Sequence, residues 1–172
     1  MFSISASTLR RVLWLDAVSG IGMGLSHLVL ADPLSNCRVT GTLSTYDPLL
    51  RDPAFRDAHR PDVVFRLGGP LTNKVATQWL DATVDQVLAD PDGVWLDPLH
   101  AASGRMEADP ELLLGALADA IDVMVDQEWV DEWTDADARA REVIDTLVEE
   151  WDEPFEGRIA RDVVAVVPTD TA

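Results

Sequence analysis

Residues 62 to 74 read DVVFRLGGPLTNK. The run Val63-Val64-Phe65 is short, apolar and rich in β-branched side chains, and it runs into Gly68-Gly69-Pro70, so it reads as a buried strand that stops at a tight turn. Beyond the turn, Val75, Trp79 and Leu80 recur at helical spacing, and Thr72 is placed to cap that helix. Strand, glycine turn and helix in this order form the unit of a parallel sheet, because a parallel partner cannot be reached through a two-residue hairpin. The same order invites a phosphate site, since the stretch holds Lys74, the only lysine of the chain. Pro70, however, removes a backbone donor, and the glycine-to-lysine spacing of a phosphate-binding loop is not met. Gly68 and Gly69 are therefore read as the means by which the backbone turns a corner.

Other apolar runs end alike. VLWLDAVS (12–19), HLVLADPLS (27–35), QVLADPDG (86–93) and VWLDPLH (94–100) each close on an aspartate or a proline-marked turn. That suits buried strands finishing at a common edge. Only Pro-Asp-Gly separates QVLAD from VWLD, too little for a parallel crossover, so this pair is expected to form a hairpin. Helical patterns lie between and after the strands. In ADPELLLGALADAIDVMV, Asp109 is the expected cap and Pro110 the first helical residue. In TDADARAREVIDTLVEEW, Trp133, Ala136, Ala140, Val143, Leu147 and Trp151 share a face, with Thr134 and Asp137 as a loose capping pair. Glu149-Glu150 fall on its outside. Asp-Glu-Pro (152–154) breaks the pattern, and FEGRIARDVVAVV begins a last helix whose Ile159, Val163 and Val166 have nothing evident to pack on. Strands alternating with helices predict the α/β class, a mostly parallel sheet flanked by helices, with Trp79, Trp133 and Trp151 in the core.

Composition narrows the function. With 31 acidic against 13 basic residues the formal net charge is −18, which repels nucleic acid and anionic lipid, so neither is an expected partner. The acids are spread among apolar residues, and two origins stay open, adaptation to salt or a GC-rich coding bias. A chain of 172 residues, 47% of them apolar, can fill one core. No run is apolar enough to span a membrane and the opening residues lack the order of a signal peptide, so the cytoplasm is the expected location. The single cysteine, Cys37, excludes an internal disulfide and reads as packing. His27, His59 and His100 share no metal-ligand spacing and read as turn or surface residues. Ser35 and Ser103 lack a nucleophile's glycine context. SGIGMGLSH (19–27) reads G-x-G-x-G, but the next strand follows too soon for the helix a dinucleotide fold needs, so it reads as a turn. The residues alone describe an α/β domain without a self-contained active site.

The succession LADPLSNCR, TYDPLLRDPAF, RPDVVFRLGGPLTNKVATQWLD, DPDGVWLDPLH resembles the middle domain of the 2-succinyl-5-enolpyruvyl-6-hydroxy-3-cyclohexene-1-carboxylate synthase family, the thiamine-diphosphate enzymes of menaquinone synthesis. The matching positions are Ala31 to Ser35, Tyr46 to Pro53, Arg66 to Lys74 and Trp79-Leu80, within a likeness over roughly residues 28 to 167. The resemblance implies a central α/β domain over 28–151, a divergent or truncated N-terminal segment over 1–27, and over 152–172 a linker and the first helix of a third domain. It implies, for the full enzyme, decarboxylation of 2-oxoglutarate and addition of the product to isochorismate, with thiamine diphosphate and Mg²⁺ held by flanking domains. The family's activating-glutamate domain and Gly-Asp-Gly motif do not match this sequence, so the chain alone is expected to bind neither cofactor and to be inactive. Its expected partners are a flanking-domain partner or further copies of itself. The alternative is a stand-alone, non-catalytic ligand-binding or scaffold module of the same fold. Another thiamine-diphosphate enzyme, such as an acetohydroxyacid synthase, fits RLGGPLTNK and the Trp-Leu helix less well. No residue receives a catalytic, cofactor or metal role. Arg66, Asn73 and Lys74 are expected to border an anion or regulatory pocket, because cations are scarce in so acidic a chain.

Overall fold

The computed structural model describes residues 10–16, 28–35, 37–80, 84–94, 96–110, 112–113, 115–116 and 125–167. The expectations for SGIGMGLSH and His27 fall outside them. Five strands, β1 (Val12–Asp16), β2 (Leu28–Ala31), β3 (Val63–Leu67), β4 (Asp85–Ala89) and β5 (Gly104–Met106), form one sheet in the order β2-β1-β3-β4-β5. Every pairing is parallel. The α/β reading therefore holds. β3 is buried at all five positions, which is why its sequence is apolar on both faces instead of alternating, with Arg66 as its one charged residue.

The period of two still sorts side chains between two cores. On one face Leu13, Leu15, Leu30 and Val64 pack with Tyr46, Leu50, Trp79, Trp129 and Trp133. These come from α1 (Tyr46–Leu50), α3 (Lys74–Trp79) and the long α4 (Gln127–Glu150). Between α1 and α3 the chain forms α2 (Pro53–Ala58). On the other face Val12, Trp14, Val63, Phe65 and Val87 meet Leu113, and Trp14 stacks on Phe65 with centroids 4.5 Å apart. Those two residues are also register partners in adjacent strands, so the stack is a cross-strand pair of the kind that stabilises sheets.

Three expectations need correction. The hairpin does not form: β4 takes β5 as its parallel neighbour, and residues 90–103 connect them. Val94 and Leu96 are exposed, because Asp97 draws this stretch over the sheet end by its buried carboxylate and makes it a cap instead of a strand. The long helix begins at Gln127, with the Asp126 side chain accepting from the Trp129 N–H. Thr134 lies inside it and donates to the Val130 carbonyl, so the Thr134–Asp137 pair caps nothing. Finally, Trp79 and Trp133 are core, but Trp151 is 57% exposed. Only the N-terminal part of α4 packs, with Trp129, Trp133, Ala136 and Asp137 buried. The last helix, α5 (Glu156–Val166), buries no residue, as its unpartnered pattern predicts.

Four of the six Asp-Pro pairs of the sequence acquire a common physical reading. Proline has no N–H, so the preceding carboxylate reaches one residue further. Asp32 accepts from Leu34 N, Asp52 from Ala54 N and Asp90 from Asp92 N, at 2.9, 2.9 and 3.0 Å. Asp109 accepts from Leu112 N at 3.1 Å. Two of these turns end strands β2 and β4; the others open helical segments.

Candidate functional site

The turn after β3 is held by three aspartates from three other segments. Gly68 takes the left-handed backbone conformation, φ +84°, which glycine adopts without a steric cost. Its N–H continues the ladder to the Ala89 carbonyl at 3.1 Å. The chain then passes Pro70, and the Thr72 N–H and hydroxyl both donate to Asp32 Oδ2 at 2.8 Å. Asn73, not Thr72, caps α3: its Oδ1 accepts from Ala76 N at 2.8 Å. The expected cap is displaced by one residue because Asp32 already engages Thr72. The other end of the Asn73 amide donates to Asp47 Oδ1 at 2.7 Å. At the strand itself, Arg66 Nη1 donates to Asp97 Oδ1 at 2.8 Å and Nη2 to the Leu96 carbonyl at 2.9 Å.

These carboxylates are poised to stay charged. Burial alone would push the Asp32 carboxyl up, but the Leu34 N–H and both Thr72 donors outweigh it and hold its pKa below the ordinary value. The same balance acts at Asp97, where burial is outweighed by the Ala102 N–H and Arg66. At Asp47 burial is outweighed by Arg51 and Asn73. In each case donors aimed at the ionised form win over desolvation.

Arg66 lies where ligands of open parallel sheets bind. The chain runs outward from β1 to β2 and returns across β1 to β3, so β1 and β3 flank the point where the winding reverses. Arg66 and Leu15 are register partners across it. The cavity there measures about 30 Å³ and is lined by Leu15, Arg66, Thr77, Gln86, Asp97 and Leu99 among others. A space of that size holds about one water. The Arg66 and Asp97 side chains are 8% and 1% exposed, so the charge expected to attract an anion is already neutralised. Asn73 faces Asp47 and Ala76 at the helix start, and Lys74 is exposed at the first helical position. One segment thus carries all three residues: Arg66 and Asn73 engage different neighbours, and Lys74 is exposed.

A second polar junction was hidden from sequence reading. Asp137, buried on α4, accepts from Ser44 N, Thr45 N and Thr45 Oγ1 at 2.9, 2.7 and 2.7 Å, and Arg141 Nη2 donates to its other oxygen at 2.8 Å. Burial raises the Asp137 pKa, but the Thr45, Arg141 and Ser44 donors lower it further, and the net shift is downward. Beside this junction lies an open cleft of about 550 Å³ with Arg38, Thr42, Ser44, Thr134 and Arg141 on its walls. His59 ends α2 as a turn residue, one of the two places expected, and is buried there: it stacks on Phe55 at 3.8 Å and its Nδ1 lies 2.7 Å from the Phe55 carbonyl. His100 is exposed, with φ +51°. Cys37 is buried and its thiol donates to the Ser35 carbonyl at 3.2 Å, a packing role. No group of three His, Cys, Asp or Glu side chains able to hold a metal ion occurs among the described residues.

No protein-family model matches the chain. Curated proteins do. The chain is 38% identical over 161 residues to the 2-succinyl-5-enolpyruvyl-6-hydroxy-3-cyclohexene-1-carboxylate synthase of Myxococcus xanthus, a match covering 88% of the chain and 26% of that protein. It is 33% identical over 151 residues to the synthase of the same name from Bacillus velezensis, covering 84% of the chain and 26% of the relative. Against the Haloquadratum walsbyi synthase it is 30% identical over 189 residues, with 89% and 30% covered. The chain spans about a quarter of the length of the curated relatives it matches, and the resemblance drawn from its motifs is borne out as kinship to one stretch of these synthases.

Proposed function

We propose that the chain does the work of the corresponding stretch of a 2-succinyl-5-enolpyruvyl-6-hydroxy-3-cyclohexene-1-carboxylate synthase, as its central, non-catalytic α/β domain. In this reading the domain is a rigid support. The reaction served is the one the resemblance implies, addition of decarboxylated 2-oxoglutarate to isochorismate, with thiamine diphosphate supplying the carbanion chemistry when bound by other parts of the enzyme. One observation carries the reading: the aspartates of three of the four stretches that carry the resemblance, Asp32, Asp47 and Asp97, all close on the remaining one, through Thr72, Asn73 and Arg66. The motifs that mark the kinship are thus spent on one another. Such closure makes a stiff edge, in which Asp32, Asp47, Asp97, Arg66 and Asn73 are engaged with one another's segments.

The test is a chimera in which this chain replaces its counterpart stretch in the Myxococcus xanthus synthase. The chimera should release carbon dioxide from 2-oxoglutarate in the presence of isochorismate, thiamine diphosphate and Mg²⁺, whereas the isolated chain under the same conditions should not. Turnover by the isolated chain would contradict the support role. A folded but inactive chimera, together with tight small-ligand binding by the isolated chain, would favour the stand-alone binding module.

A further inference from the structure

Most arginines among the described residues lie against a carboxylate, as Arg11 does against Asp126 and Arg66 against Asp97. In a chain with 31 acids for 13 bases that is the ordinary fate of a cation. Arg38 departs from it. It is exposed in the loop after β2, where its Nε donates to the Ala31 carbonyl at 3.2 Å and its fork faces the buried Tyr46 hydroxyl. No aspartate or glutamate among the described residues forms an ion pair with it. Asp32 acts on Arg38 through its charge, but its oxygens accept from Leu34 and Thr72 instead. The Arg38 guanidinium is thus held in place by two neighbours and still has N–H donors without a protein acceptor among the described residues.

Arg141 lines the same cleft. Thr134, Asp137, Ala138 and Arg141 recur at three or four residues, so one face of α4 supplies that wall. Arg141 is half exposed and uses Nη2 alone, toward Asp137 and Ser44 Oγ at 2.8 Å each. Its Nε and Nη1 have no acceptor among the described residues. Asp137 is the one acid on the walls, and it is spent: one oxygen accepts from Ser44 N, Thr45 N and Thr45 Oγ1, and the other takes Arg141. Two guanidinium groups therefore share a cleft with a single carboxylate, a positive balance in a chain of net charge −18. Ser44 Oγ, occupied as an acceptor, keeps its hydrogen for donation, and Thr40 adds an exposed hydroxyl.

We propose that this cleft, between the loop 38–44 and the middle of α4, binds a small organic oxyanion, with Arg38 and Arg141 as its charge partners and Ser44 and Thr40 as hydroxyl donors. A carboxylate and a phosphate ester present the same chemistry to a guanidinium fork, adjacent oxygens that share a negative charge. The space of about 550 Å³ suits a metabolite-sized body in place of a bare ion, and the hydroxyls on its walls suit a polar one. Whereas Asp97 closes off the charge of buried Arg66, the cations of this cleft stay open to solvent. The inference goes beyond the synthase reading, since it rests on the cations of this chain alone and a domain that serves as a support has no need of such a site.

Amide NMR spectra of the full chain, titrated at constant ionic strength with inorganic phosphate and separately with succinate, test it. Saturable shifts should centre on residues 38–44 and 134–141. Saturation by phosphate alone would identify a phosphate ester, by succinate alone a carboxylate, and by both the shared chemistry; each of these supports the site. Arg38→Gln should weaken binding about tenfold or more. Thr40→Trp, at an exposed position that keeps the fold, should also weaken it, by filling the cleft without altering charge. Arg161→Gln removes a cation from α5, away from the cleft, and should leave binding unchanged. Absence of saturable shifts with both ions, shifts scattered over the surface, or an equal loss in Arg161→Gln and Arg38→Gln would overturn the proposal. The chimera reads activity and this titration reads binding, so the failure of one is distinguishable from the failure of the other.

Discussion

The Arg66–Asp97 pair shows how a single residue can serve the fold at the position where function is sought. Both side chains are almost wholly buried, 2.8 Å apart, and each has a further partner, the Leu96 carbonyl and the Ala102 N–H. Removing one charge strands the other in a medium that solvates it poorly, so Asp97→Ala should cost about 3–5 kcal/mol of unfolding free energy in urea titration. Replacing both by apolar residues of similar size, Arg66→Met with Asp97→Leu, should cost clearly less; an equal or larger loss would mean that the pair contributes through its hydrogen bonds more than through mutual charge compensation. Acid stability follows from the same class of residue. Asp32, Asp47, Asp97 and Asp137 all have folded-state pKa values below the ordinary 3.8, so between the folded and unfolded values the unfolded chain binds more protons. Their stabilisation is complete above the ordinary value and is lost as the pH falls through the lower folded values. Melting temperatures should therefore be nearly flat from neutrality to about pH 5 and fall steeply below about pH 4. Asp137→Asn should flatten that fall while lowering the neutral plateau.

At the scale of elements, α4 separates what the sequence made legible from what it did not. The strands over 63–67 and 85–89 were readable from their short apolar runs, Val63 to Phe65 and Val87 to Ala89, since a strand buried on both faces needs apolar residues at successive positions. The heptad-like spacing from Trp133 to Trp151 was equally readable as a helix. Which part of its face is covered was not, since burial depends on whether another element reaches that far. Asp97 and Asp137 were missed for a related reason: an aspartate in a loop or on a helix reads as solvated until its partners, 31 and 92 residues away in sequence, are brought to it. Hydrogen exchange should display the division directly, with amides over 129–137 protected far more strongly than those over 142–150, which open locally. Trp133→Ala should cost about 3–5 kcal/mol. Trp133→Phe should cost less, because it also removes an indole N–H that is buried without a hydrogen-bond partner among the described residues, a group whose desolvation costs about 1–3 kcal/mol.

The whole molecule adds a term that no single element contains, the repulsion among 31 acids against 13 bases. Exposed ion pairs such as Arg51–Asp47 and Arg158–Asp162 contribute only about 0–1 kcal/mol each and weaken with salt. The unbalanced charge acts over longer distances and opposes compaction, so screening it should outweigh their loss. The Debye length falls from about 10 Å at 0.1 M to about 3 Å at 1 M ionic strength. The melting temperature should accordingly rise with potassium chloride over that range, by roughly 2–4 °C for each kcal/mol of repulsion removed, and then level off. A fall would mean that the local pairs dominate. The behaviour beyond 1 M separates the two origins of the acidity. Once repulsion is screened, a surface made acidic by coding bias alone has nothing further to gain from potassium chloride, whereas one adapted to brine continues to stabilise as the salt rises. A plateau beyond 1 M would therefore assign the acidity to coding bias, and a continued rise in the same titration would assign it to salt.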